Sequence, residues 1–65
     1  MSEHVFAAVM EYLANKGIKF YGKVTYKNNI PHERTIMGVS VKYDGRNFWA
    51  NGKIISRQIA RYLIK

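Results

Sequence analysis

No cysteine occurs anywhere in the 65 residues, and that absence constrains the fold more than any residue present. A chain of this length buries only about 60% of the surface it exposes when unfolded. Disulfide staples and thiolate metal sites, the usual aids to so small a domain, are excluded. The two histidines, His4 and His32, lie far apart and have few carboxylates to complete a ligand set. No structural metal is therefore expected. What remains is a single hydrophobic core in one domain, residues 1–65, either a minimal protein or a domain excised from a larger one. The 48% apolar composition, with three Phe, five Tyr and one Trp, is enough to supply it. No apolar run approaches the length of a membrane span and no secretory signal pattern opens the chain, so an intracellular, membrane-free protein is expected.

Charge gives the first functional clue. Eleven Lys and Arg stand against only Glu3, Glu11, Glu33 and Asp44, for a net charge of +7. Phosphate contact is the usual physical reason to concentrate positive charge. The basic residues are spread along the chain rather than packed into a tail, which favours a folded basic surface over a disordered arm.

Periodicity divides the chain into five elements. Residues 3–16 carry Val5, Phe6, Val9, Met10 and Leu13 on one side at helical spacing, with His4, Glu11 and Asn15 on another. Ser2 is the expected cap and Gly17 the expected stop. Residues 18–26 alternate Ile18, Phe20, Val24 against Lys19, Tyr21, Lys23 and Thr25, with Tyr26 back on the apolar side, a half-buried strand. "KNNIPHER", with paired Asn and the only Pro, reads as a loop. "TIMGVSVKY" resumes a strand with Met37, Val39, Val41 and Tyr43 on one face. "DG" at 44–45 is a hairpin signal, "RNFWA" the returning strand, and "NG" at 51–52 its end. "KII" then leads into a last helix capped by Ser56. The expected fold is α+β, in the order α-β-β-β-α, with two helices packed on one face of a three-stranded antiparallel sheet.

On the last helix, Ile59, Leu63 and Ile64 fall within roughly 100° of Ala60, while Arg57, Gln58, Arg61 and Lys65 occupy a separate arc. Arg57 and Arg61 are i and i+4 neighbours, so their guanidinium groups project from the same side. Cations in a first helical turn cost a few tenths of a kcal/mol against the helix dipole, a cost that an anionic partner offsets.

Length, element order and several motifs resemble the double-stranded RNA-binding domain family, from about Val5 to Ile64. "VMEYLANKG" is similar to that family's first helix, and "IPH" stands where the family has a Gly-Pro-x-His loop. "YDGRNFWANG" looks like its second hairpin, and "SRQIAR" follows its Ser-Lys-Lys-x-Ala-Lys signature position by position. The chain departs from the family at Gln58, which brings no charge, and at Asn29 and Ile30, where a Gly is usual. The resemblance implies a domain that reads A-form duplex by shape, through two successive minor grooves and the phosphates between them. It implies minor-groove contacts from Glu11 and from Pro31 and His32, and phosphate contacts from Lys53, Arg57, Gln58 and Arg61. It implies no cofactor, no metal and no small-molecule substrate.

Two other readings follow from the residues. A protein-interaction or dimerisation module on the same fold would suit Gln58, the altered loop and an exposed, tyrosine-bearing sheet face. Trp49 and the tyrosines Tyr21, Tyr26 and Tyr43 could also stack unpaired bases, although packing within the sheet is the simpler use of such residues. Catalysis is not expected. Four scattered acids give no paired-carboxylate or metal constellation, Ser2, Ser40 and Ser56 have no triad context, and no Gly-rich phosphate loop is present.

Overall fold

The computed structural model describes residues 3–64. The expected cap at Ser2 and the last member of the basic arc, Lys65, lie outside the described residues. The architecture is mixed α+β: two helices and two antiparallel sheets, one of two strands and one of three.

The first helix, α1 (Glu3–Asn15), buries Phe6, Val9 and Leu13. Its end is set by Gly17, whose φ of 73° is costly for any residue with a Cβ. Gly17 N donates to Ala14 O at 3.0 Å and Ile18 N to Leu13 O at 3.0 Å, a Schellman pair that satisfies the last carbonyls. The motif also places Ile18 and Leu13 in the same core cluster. Ile18 is thus buried as part of the helix stop, not as the start of a strand. Val5, expected on the core face, is 43% exposed.

The first strand, β1 (Tyr21–Lys27), pairs with β2 (Ile30–Met37) in an antiparallel ribbon. The expected loop at residues 27–34 is therefore replaced by a two-residue turn. Asn28 and Asn29 have φ of 54° and 65°, the positive values that a type I′ hairpin turn demands and that Asn tolerates best after Gly. Pro31 sits inside β2, on a ribbon two strands wide, where a missing N–H need not break a ladder. The register slips after Thr25, which faces Glu33 while Tyr26 faces Pro31, so His32 is the extra residue of a bulge. Near its root the ribbon rests on α1 at Gly22, where an added Cβ would lie 3.0 Å from both Met10 Sδ and Phe6 Cζ. Arg34, beside them on the same face, pairs with Glu3 at 3.5 Å.

The long strand expected over residues 35–43 is interrupted. Gly38 takes a φ of 85°, and the chain resumes only at β3 (Val41–Tyr43). The bend parts Met37, which is exposed, from Val39 and Val41, which pack on the core; Tyr43, on the same face of β3 as Val41, lies against Phe48 and is exposed. β3 pairs with β4 (Phe48–Ala50), and β4 with β5 (Lys53–Ile55). Asn51 and Gly52, at φ 49° and 84°, form the second two-residue turn, so "NG" does not end the sheet but folds a further strand onto it.

Asn51 also holds the bend. Its Oδ1 accepts from Ser40 N at 2.8 Å, and its Nδ2 donates to Gly38 O at 3.0 Å and to Lys19 O at 3.3 Å. One side chain thereby joins the lead into β1, the break between β2 and β3, and the β4–β5 turn.

"DG" makes a hairpin as expected, with a four-residue loop. Asp44 Oδ1 accepts from Arg46 N and Asn47 N at 2.8 and 2.7 Å, and its Oδ2 accepts from Trp49 Nε1 at 2.8 Å. The Asn47 N–H, then the indole N–H, then the Arg46 N–H hold the Asp44 carboxyl below its ordinary value of 3.8. A depressed folded-state value stabilises the fold above 3.8, and that contribution disappears as pH falls through the lower folded value. The melting-temperature gap between the native chain and Asp44→Asn is therefore expected at neutral pH and should close in acid. A gap that persists undiminished below that value would contradict this reading.

The last helix, α2 (Arg57–Ile64), starts at Ser56 as expected. Ser56 Oγ accepts from Ile59 N at 3.3 Å, and Ser56 N donates to the Tyr12 hydroxyl at 2.9 Å, which ties the start of α2 to α1. Ala60 is fully buried and lets α2 sit close to the sheet, whereas Ile64, expected in the core, is 57% exposed. Val9, Leu13, Ile18, Ala50, Ile55 and Ala60 form one cluster.

Candidate nucleic-acid interface

Strand order decides which cations meet. Tyr43 faces Phe48, and Phe48 faces Ile55 on its other side. The 44–47 loop and the exit of β5 therefore lie at the same end of the three-stranded sheet. Arg57, one residue beyond Ser56, reaches that end from the first turn of α2. The result is an open hollow of about 520 Å³ lined by Arg46, Asn47, Ser56 and Arg57, with Tyr43 and Phe48 as its apolar floor. Those two rings stack at 4.6 Å between centroids, and the Tyr43 hydroxyl donates to Gly45 O at 3.0 Å. Two guanidinium groups, a capping serine and the positive end of a helix thus border one polar depression, an arrangement suited to a phosphate.

Arg46 was not among the residues expected from the sequence. The signal was nonetheless present: read as a type I′ turn, "NG" reverses the chain and brings the residue after β5 back to the "DG" loop.

The other expected residues are distributed as follows. Arg61 is exposed, one turn beyond Arg57. Glu11 is exposed on α1, on the side turned away from Leu13. Pro31 and His32 are exposed near the tip of the β1–β2 ribbon, not in a loop. Two of them lie away from the Arg46–Arg57 hollow. Gln58 is exposed but borders an apolar groove with His4, Val5, Ala8, Ile59 and Tyr62, between the helices and apart from the Arg57 hollow. Lys53 lies at the foot of α1: a Cβ built on Gly17 would be 3.4 Å from its Nζ. There the ammonium meets the negative end of the α1 dipole, which gives Lys53 a structural role of its own.

The molecule is long. Its extents are 42 × 20 × 18 Å and its radius of gyration 12.4 Å, against about 11 Å for a compact chain of this length. The ribbon tip lies at one end of the path through β2 and β3, and the Arg46–Arg57 hollow at the other.

Among the described residues, no group of three or more His, Cys, Asp or Glu could hold a metal ion, and no helix is long and apolar enough to cross a membrane. No family model, curated protein or solved structure matches the chain.

Proposed function

We propose that the protein binds duplex RNA by shape, without catalysis, through phosphates held at the start of α2 and minor-groove contacts made by the ribbon tip. The convergence of Arg46 and Arg57 on one polar hollow carries this reading. Arg61 extends the cationic surface along α2, and the net charge of +7 supplies the long-range attraction. Near the tip of the β1–β2 ribbon, the bulge at His32 re-aims a side chain beside Pro31. Separate contact regions on one frame act as a gauge of groove spacing, which differs between A-form and B-form duplexes. Glu11, on the outer side of α1, would accept hydrogen bonds from 2′-hydroxyls.

Titration with matched RNA and DNA duplexes of about 20 bp, long enough for the roughly 16 bp such a domain spans, tests the proposal. RNA should bind more tightly at two salt concentrations. Equal affinity for both, or no binding at low salt, would overturn it. Arg57→Ala with Arg61→Ala should flatten the log–log salt dependence by about 1.5, and Arg46→Ala by a further 0.8 or so.

The groove that Gln58 shares with Val5, Ala8 and Ile59 favours a second reading, self-association through the helices. Sedimentation without RNA separates the two, because a stable dimer indifferent to RNA belongs to the second.

A further inference from the structure

The face of the three-stranded sheet turned away from the helices carries a different kind of surface. Ala50 and Ile55 point into the core, so strand alternation sends Lys42, Trp49 and Ile54 to the opposite side. These three are direct cross-strand neighbours: Lys42 faces Trp49, and Trp49 faces Ile54. Trp49 is half-buried without any helix above it, and Ile54 is 43% exposed. Beside Lys42 and Trp49 lies a second open hollow, of about 550 Å³, bordered also by Ser40, Tyr43, Asp44 and Asn51.

The indole is fixed before any ligand arrives. Its Nε1–H donates to Asp44 Oδ2 at 2.8 Å, while Oδ1 of the same carboxylate holds the 44–47 loop. A hydrogen bond in the ring plane anchors the edge and leaves the π-face to other partners. Asn51, which closes the far side, spends its amide on backbone groups and is equally fixed. A preset ring loses little conformational freedom when a second ring stacks on it.

The electrostatics select the occupant. Lys42 stands directly across from Trp49, and Lys23 lies on the helix-free side of β1 with Tyr21, opposite the face on which Gly22 meets α1. Tyr21 is 59% exposed. The one acid bordering the hollow, Asp44, has its charge engaged by three N–H donors. Aromatic faces beside lysines on a chain of net charge +7 suit a planar base attached to a phosphate backbone.

We infer that this hollow is a stacking site for an unpaired base of single-stranded nucleic acid, with Trp49 as the platform and Lys42 as the phosphate contact. It shares only Tyr43 with the Arg46–Arg57 hollow and stands whether or not duplex RNA binds there.

The test uses the chain's single tryptophan. Intrinsic fluorescence is followed while a single-stranded oligothymidylate or oligouridylate of about 8 nucleotides, within the range of known single-strand sites, is added at low salt. Stacking should quench the emission saturably. Trp49→Ala should weaken binding, read by anisotropy of a labelled strand, by roughly 5- to 100-fold. Trp49→Phe, which keeps an aromatic face, should bind within a few-fold of the native chain. Lys42→Ala, remote from the core, should lower the log–log salt slope by about 0.7. No quenching, or unchanged strand affinity in both Trp49→Ala and Lys42→Ala, would overturn the inference. Loss of strand binding in Arg57→Ala with Arg61→Ala would overturn it too, by placing the strand on the helix side.

Discussion

Leu13→Ala is expected to leave much of the chain unfolded at room temperature. Leu13 is fully buried, and its neighbours in the cluster come from α1, the helix stop, β4, β5 and α2. Truncating a buried Leu to Ala costs about 2–5 kcal/mol, through lost burial and the cavity left behind. A domain of this length is held by roughly 3–10 kcal/mol in total, so the loss is comparable with the whole. Urea unfolding followed by circular dichroism measures it. Leu13→Met, which nearly conserves volume, should cost less than about 1.5 kcal/mol. If Leu13→Ala left the midpoint unchanged, the described core would not be the one that holds the fold.

Asn51→Ala should cost nearly as much, although the residue is exposed. The substitution removes the acceptor for Ser40 N and the donor to Gly38 O and Lys19 O, each worth about 1 kcal/mol net. It also forces an alanine to hold a φ of 49°, a further cost of roughly 1 kcal/mol. Asn51→Gly separates these contributions, since glycine removes the strain and none of the hydrogen-bond loss. The expected order of midpoints is Asn, then Gly, then Ala. Equal midpoints for all three would show that the bend at Gly38 is held by something else.

The elements that follow from local chemistry were legible in the sequence. Gly17 as a helix stop and Ser56 as a cap each need only a residue or two to specify them, and both occur where expected. The strands were harder because turn identity outweighs composition. "KNNIPHER" has every mark of a loop, yet two Asn residues suffice for a I′ reversal, and Pro31 is tolerated in a ribbon only two strands wide. Apolar alternation from Met37 to Tyr43 suggested one continuous strand, but a single glycine at φ 85° breaks it after Met37. The candidate site inherited both effects. Arg57 and Arg61 are exposed as the helical angles required. The meeting of Arg46 with Arg57 depends on β4 reversing into β5, and the separation of Gln58 from the cations depends on where α1 lies. Neither is a property of a short stretch of sequence.

One consequence lies in where the buried residues are. Phe6, Val9, Leu13, Ile18, Ala50, Ile55 and Ala60 are the buried hydrophobics among the described residues, and none belongs to β1 or β2. Beyond its root, where Gly22 and Arg34 meet α1 and Ile36 packs on the cluster, the ribbon is a thermodynamic appendage closed by its own ladder. Its tip can fray and re-form without solvating the core, so its amides should exchange through small local openings rather than through global unfolding. A protein this small thereby has two tiers of cooperativity: a tightly coupled body that carries the arginines, and an arm whose root is fixed on α1 and whose tip opens locally at little cost to the rest.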